Sequence, residues 1–205
     1  MDVRFMHPFT CLIAGPSGCG KTTFVKQLLD HKERMISPVP ERVVWHYGEW
    51  QPMYDTMIGV EFMEGLPDLK TLDKKRKTLI IIDDLMAEAD KSVTALFTKK
   101  SSHHNLSVLF LVQNLFDKNT EMRTISRNAK YLVLFKNPRN VSQINALAYQ
   151  MYPRHVKFLQ EVYEDATSKP HGYLLIDLRQ DTAEQYRLRT DIMPDEDTFV
   201  YLKKK

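Results

Sequence analysis

Gly15, Gly20, Lys21 and Thr22 stand at the spacing G-x-x-x-x-G-K-[ST] within the run Ala14-Gly15-Pro16-Ser17-Gly18-Cys19-Gly20-Lys21-Thr22-Thr23. Glycine at these places lets backbone N–H groups approach a polyphosphate that side chains would hold off, so the expected ligand is a nucleotide such as ATP. Gly15, Pro16, Ser17, Gly18, Cys19, Gly20, Lys21, Thr22 and Thr23 form the expected cradle. Lys21 is expected to reach the β- and γ-phosphates, and the Thr22 hydroxyl to bind Mg²⁺.

Two further stretches carry chemistry. Thr78 to Asp84 reads TLIIIDD, an apolar run ending in two carboxylates. In a chain with a phosphate loop, the first acid, Asp83, is expected to hold Mg²⁺. The second, Asp84, lies where an attacking water must be oriented and deprotonated, which favours hydrolysis over transfer to a bound acceptor. Its alternative role is to cap a helix over Met86 to Lys100. Val108 to Val112 is a second apolar run, ending in Gln113, whose amide can bond both a terminal phosphate and the attacking water.

These residues need a scaffold that brings strand ends together. Phe9 to Ala14 is nearly all apolar, as a parallel strand covered on both faces must be, and Thr22 to Leu29 follows it as an amphipathic helix. Arg42 to Tyr47, Lys130 to Lys136 and Tyr173 to Leu178 read as further strands, with a weaker strand at Val60 to Met63 and Tyr186 to Arg189 pairing beside the last. Helices are expected near Val141 to Met151 and Arg154 to Ala166. The aromatics Trp45, Tyr47 and Trp50 are expected in packing rather than in base stacking. The result is an α/β fold with a mainly parallel sheet sandwiched by helices. One P-loop ATPase domain is expected over 1–190, with a C-terminal tail over 191–205.

The 205 residues, 43% of them hydrophobic, suffice for one such core. A net charge of +3 is too mild to mark a nucleic-acid binder by composition, although Lys74 to Lys77 and Lys203 to Lys205 are basic runs. The first run reads as a solvated strand start, a nuclear-import signal or a phosphate contact. Two cysteines, Cys11 and Cys19, support neither a disulfide framework nor a zinc site, and His103 and His104 are adjacent rather than metal-spaced. No apolar run reaches the ~18–20 residues of a membrane span. The expected setting is intracellular.

The strings HPFTCLIAGPSGCGKTTFVKQLL, WHYGEWQP, LIIIDDLM, SSHHNLSVLFLVQNLF, YLVLFKNPRN and DATSKPHGYLLIDL together resemble the genome-packaging ATPases of Maverick/Polinton elements and adintoviruses. Those are similar to the poxvirus-type packaging ATPases of the FtsK–HerA group. The resemblance spans roughly Phe5 to Thr190. It implies a RecA-like ASCE P-loop NTPase with sheet order 5-1-4-3-2, a homo-oligomeric ring, and double-stranded DNA driven into a capsid through a vertex. Capsid or portal-vertex proteins are the implied partners, and host nucleus or cytoplasm and the assembling virion the implied places. Lys21 and Thr22 then belong to Walker A, Asp83 and Asp84 to Walker B, and Gln113 to the sensor. Asp84 stands where that group commonly has Glu. No arginine lies between Asp84 and Gln113, so an arginine finger falls to Arg123, with Arg127 and Arg139 as the alternatives. Two rival classes remain at the level of sequence. A P-loop nucleotide or small-molecule kinase needs an acceptor pocket and a lid with paired arginines, which the chain does not suggest. A non-motor ATP-binding capsid assembly factor would bind ATP without DNA-stimulated turnover.

Overall fold

The computed structural model describes residues 3–68, 75–85, 91–100, 105–116 and 120–203. Lys74, Met86 to Asp90, His103, His104 and Lys204 to Lys205, named above, lie outside them. The frame is a nine-stranded sheet whose centre is β2 (Thr10–Ala14), paired in parallel with β7 (Leu106–Val112) on one side and β8 (Tyr131–Phe135) on the other. Beyond β7 come β6 (Thr78–Asp83), β4 (Arg42–Tyr47) and β5 (Glu61–Glu64), all parallel. The order β8-β2-β7-β6-β4 is the 5-1-4-3-2 order that the resemblance implies, in a mainly parallel α/β sheet.

Every residue of β2, β6, β7 and β8 is buried, which explains why they read as unbroken apolar runs rather than alternating ones. Alternation reappears in which face each residue packs. Leu12, Ile80, Phe110 and Leu132 join one core, beneath α4 (Thr120–Asn128), α5 (Ser142–Met151) and α6 (Val156–Ala166). Cys11, Ile13, Leu109 and Val133 join the other, beneath Phe24, Val25 and Leu28 of α1 (Lys21–Asp30). Parallel strands in register deliver their C-terminal ends to one edge: Ala14 pairs with Val112 and Leu134, and Tyr47 with Asp83. All the sequence-predicted carboxylates, the glycine loop and Gln113 follow these ends.

The other flank differs from a simple parallel sheet. β9 (Tyr173–Asp177) runs antiparallel to β8, β10 (Leu188–Thr190) antiparallel to β9, and β11 (Phe199–Val200) antiparallel to β10. The stretch expected as a tail thus contributes an edge strand and the buried Met193. β1 (Phe5–Met6) pairs with β3 (Ile36–Ser37), a two-residue ladder too short to leave a periodic signal. The weak strand expected over Val60 to Met63 forms one residue later. Of the helix expected over Met86 to Lys100, the described part is α3 (Lys91–Ala95) and a π-helical turn to Lys100. Among the described residues no helix is long and apolar enough to cross a membrane.

The antiparallel flank is pinned by charge. Asp177 Oδ2 accepts from Arg179 at 2.9 Å and from Arg189 at 3.2 Å, and Arg189 Nη1 also donates to the Val3 carbonyl at 2.6 Å. Asp177 and Arg189 are essentially inaccessible, at 1% and 2% side-chain exposure. Removing one partner of such a pair leaves the other charge buried and unpaired, at about 3–5 kcal/mol. Asp177→Ala is therefore expected to lose about that much in urea unfolding, and a loss under ~1 kcal/mol would show that the cluster does not hold the flank.

Candidate nucleotide site

The loop after β2 is shaped by its glycines. Gly15 N–H donates to the Val112 carbonyl at 3.1 Å, fastening the loop to the residue before Gln113. A Cβ on Gly15 would sit 2.6 Å from Cys19 Sγ and 2.7 Å from Phe135 Cβ, so glycine alone fits there. Gly20, at φ 111°, turns the chain into α1, whose N-terminus carries no side-chain cap and so leaves its N–H groups available to an anion. Lys21 Nζ donates to the carbonyls of Gly15 at 2.7 Å and Pro16 at 3.1 Å, placing the ammonium inside the loop's curve. Burial pushes the Cys19 thiol above its ordinary pKa, against the pull of Lys21, so no thiolate opposes phosphate. His171, from the turn before β9, braces the loop from outside: its Nδ1–H donates to the Cys19 carbonyl at 3.0 Å.

Asp83 ends β6 beside this loop and is 4% exposed. Its Oδ2 accepts from Tyr54 Oη at 3.0 Å and, more weakly, from Thr22 Oγ1 at 3.4 Å. Burial raises the Asp83 pKa above the ordinary carboxylate value, while the Tyr54 bond and the Lys21 charge pull it back. Tyr54 comes from the 3-10 helix Pro52–Thr56 and is held by rings: Trp45 at 5.2 Å and Phe62, stacked, at 5.0 Å between centroids. Burial and the neighbouring Asp83 push the phenol far up, so it remains a donor. Thr22 Oγ1 and the Asp83 carboxylate are hard oxygen donors side by side, a set that suits Mg²⁺.

Asp84 is exposed, at φ 57°, immediately past this carboxylate. Its turn is possible because Gly48 lacks a side chain: a Cβ there would lie 2.8 Å from the Asp84 carbonyl. Whether Asp84 also caps a helix falls on undescribed residues. Gln113 is exposed at the end of β7 and shares a narrow cleft with Gly15, Asn137 and Asn140. Behind it, the Gln143 amide accepts from Leu115 N–H at 2.7 Å and donates to the Phe116 carbonyl at 3.4 Å, fixing the segment that follows the sensor strand. Lys21, Thr22, Asp83, Asp84 and Gln113 are thus brought to one sheet edge. Arg123 is not: it is exposed on α4, on the opposite face from α1, where it lines a cavity of about 600 Å³ with Arg127, Leu147 and Met151. Arg139 is exposed in the turn after β8, on the same edge as the loop. Lys75 and Arg76 are exposed at the start of β6, the far edge, and Lys77 pairs with Glu41 at 3.4 Å.

Tyr54, His171 and Gln143 did not emerge from the sequence. Each acts through a contact between distant segments, and the one nearby signal is that Tyr54 follows closely on Trp45, Tyr47 and Trp50, the aromatics expected in packing. Among the described residues no group of three or more His, Cys, Asp or Glu side chains is placed to hold a metal.

No protein-family model and no curated protein matches the chain. Solved structures do. The cytoplasmic domain of the type VII secretion ATPase EccC from Thermomonospora curvata superposes with a TM-score of 0.55 at 12% identity, over 84% of this chain and 24% of that one. ATPases 2 and 3 of EssC from Geobacillus thermodenitrificans superpose with a TM-score of 0.52 at 10% identity, over 95% and 39%. The chain therefore spans well under half the length of these structures. At such identities the likeness establishes the fold, a RecA-like α/β P-loop fold, in agreement with the strand order above.

The Tyr54 bond has a testable consequence. Were Asp83 to hold Mg²⁺, its carboxylate would have to be ionised, and Mg²⁺-dependent nucleotide binding would fall as pH drops through the raised Asp83 pKa. Tyr54→Phe removes a donor that lowers that pKa. The acid limb of Mg·ADP binding, measured by calorimetry over roughly pH 5 to 8, should move to higher pH, with binding weakened up to about tenfold on the limb. An unmoved limb would reduce Tyr54 to a packing residue.

Proposed function

We propose that this chain is an ATP-hydrolysing motor subunit that moves double-stranded DNA, packaging a viral or transposon genome into a capsid. The observation that carries the ATPase reading is the convergence of Lys21, Thr22, Asp83, Asp84 and Gln113 on one strand edge from three separate chain segments. In this reading the backbone of Gly15 to Thr23 holds the phosphates, and Lys21 stabilises charge on the transferring phosphoryl group. Thr22 and Asp83 would hold Mg²⁺, which when bound neutralises the β- and γ-phosphate oxygens. Asp84, exposed beside them, accepts the proton of the attacking water. Gln113 reports the terminal phosphate to the segment that Gln143 ties to α5. The DNA-packaging part rests on the resemblance of the quoted strings to Maverick/Polinton packaging ATPases. Host nucleus or cytoplasm and the assembling virion are the corresponding places, and capsid or vertex proteins the partners.

In a homo-oligomeric ring an arginine from the neighbour completes each site, an effect worth about 10³–10⁵ in rate where it operates. Such a residue must be exposed and away from its own chain's loop, and Arg123 is both. Co-assembled Arg123→Ala and Lys21→Ala subunits should regain turnover that neither has alone. A mixed assembly that stays inactive moves the finger to Arg127 or Arg139.

The motor reading is tested by phosphate release with and without double-stranded DNA, for the natural protein and Asp84→Asn. Turnover stimulated by DNA, with Asp84→Asn binding Mg·ATP but failing to hydrolyse it, is the expected result. Turnover indifferent to DNA favours the assembly factor over the motor, and an active Asp84→Asn removes Asp84 from the chemistry.

A further inference from the structure

A triphosphate laid in this loop has a direction. Its γ end must face Asp83 at the end of β6 and Gln113 after β7, on one side of the loop, so whatever follows the α-phosphate leaves toward β8 and β9 on the other. A cavity of about 660 Å³ opens on that side, bounded by Gly20 before α1, Thr23 and Gln27 along one side of α1, and the turn Lys169 to Gly172. The C-terminal segment supplies its remaining wall through Asp191, Glu196, Asp197 and Phe199. Three residues with left-handed backbone line it: Gly20 at φ 111°, His171 at φ 60° and Asp191 at φ 50°. For the last two, which have side chains, that conformation is costly and collects at functional sites.

The cavity's chemistry is not that of a second phosphate site. Its carboxylates, Asp191, Glu196 and Asp197, outnumber its one ammonium, Lys169, and Lys169 is paired with Asp191 at 3.2 Å. An acceptor-rich wall suits an uncharged group that donates hydrogen bonds, such as ribose hydroxyls or an exocyclic amine. Phe199, 53% exposed on the edge strand β11, offers an aromatic face. The geometry points to this cavity as the seat of the nucleoside of an amino-bearing purine nucleotide, with Phe199 as its stacking platform and the segment 191–199 as the wall that senses its presence. This rests on the phosphate-loop reading above and adds the ligand's other half.

Calorimetry with Mg²⁺ and three ligands separates the two halves: ADP, inosine diphosphate, which carries a carbonyl where adenine carries an amine, and pyrophosphate, which has no nucleoside. The natural protein should bind ADP at least about tenfold more tightly than pyrophosphate, and inosine diphosphate between them. Phe199→Ala should weaken ADP about fivefold or more, the effect expected of one lost stacked base, and leave pyrophosphate unchanged. Pyrophosphate binding as tight as ADP, or a folded Phe199→Ala protein with unaltered ADP affinity, overturns the pocket while leaving the loop intact. A Phe199→Ala protein that weakens ADP and pyrophosphate alike also overturns it, since the effect is then on the loop. Should that variant fail to fold, the ADP-to-pyrophosphate ratio of the natural protein still decides. If the natural protein binds none of the three, the phosphate-loop reading itself falls, and the pocket with it.

Discussion

The site depends on one constraint: β2 lies between β7 and β8 in a fixed parallel register, and the loop that leaves it must pass between their ends. Gly15 meets both conditions at once. Its N–H bonds to Val112 at the end of β7, and its bare Cα passes Phe135 at the end of β8 with no room for a methyl group. A shift of one residue in β2 or β7 would turn that strand's core residues to the opposite faces and move Lys21 away from Asp83 or Gln113. The nine-stranded sheet therefore acts as a positioning device, with its packing energy and its chemistry set by the same pairing.

Two buried carboxylates show how differently the fold treats charge. Asp177 is answered by two guanidinium groups, which joins the antiparallel flank to the N-terminal segment. Among the described residues, the Asp83 carboxylate has a phenol and a distant threonine hydroxyl as hydrogen-bond donors, with Lys21 acting from further off. A carboxylate left so sparsely neutralised is poorly placed for stability and well placed for a cation. The aromatic packing of Trp45, Tyr54 and Phe62 keeps it so by holding the phenol in place.

Much of this was legible in the sequence because chemistry and burial both restrict residue type. Gly15, Gly20, Lys21 and Thr22 could be read from spacing, and β2, β6, β7 and β8 from apolar runs that only strands buried on both faces tolerate. Arg42 to Tyr47 could be read from its β-branched and aromatic residues, and Tyr173 to Leu178, of which β9 takes all but the last residue, from its apolar run, but the antiparallel sense of β9 could not, since an apolar run carries no direction. Tyr54, His171 and Gln143 were hidden for another reason. A tyrosine in a short 3-10 helix, a histidine in a turn and a glutamine in an amphipathic helix are ordinary residues until tertiary structure brings Asp83, Cys19 and Leu115 to them. The C-terminal stretch read as a polar tail because β11 is two exposed residues long, and its pairing is decided by β10.

The central claim is that the loop and the β6 carboxylates form a hydrolytic centre with Lys21 at its heart. Its most direct measurement is steady-state phosphate release from ATP by the natural protein and by Lys21→Ala at matched assembly state. The account predicts turnover in the first and a loss of at least about a hundredfold in the second, because a charge aimed at the transferring phosphoryl group is gone. A natural protein that releases no phosphate under any assembly condition, or a Lys21→Ala protein that hydrolyses ATP near the natural rate, would contradict it.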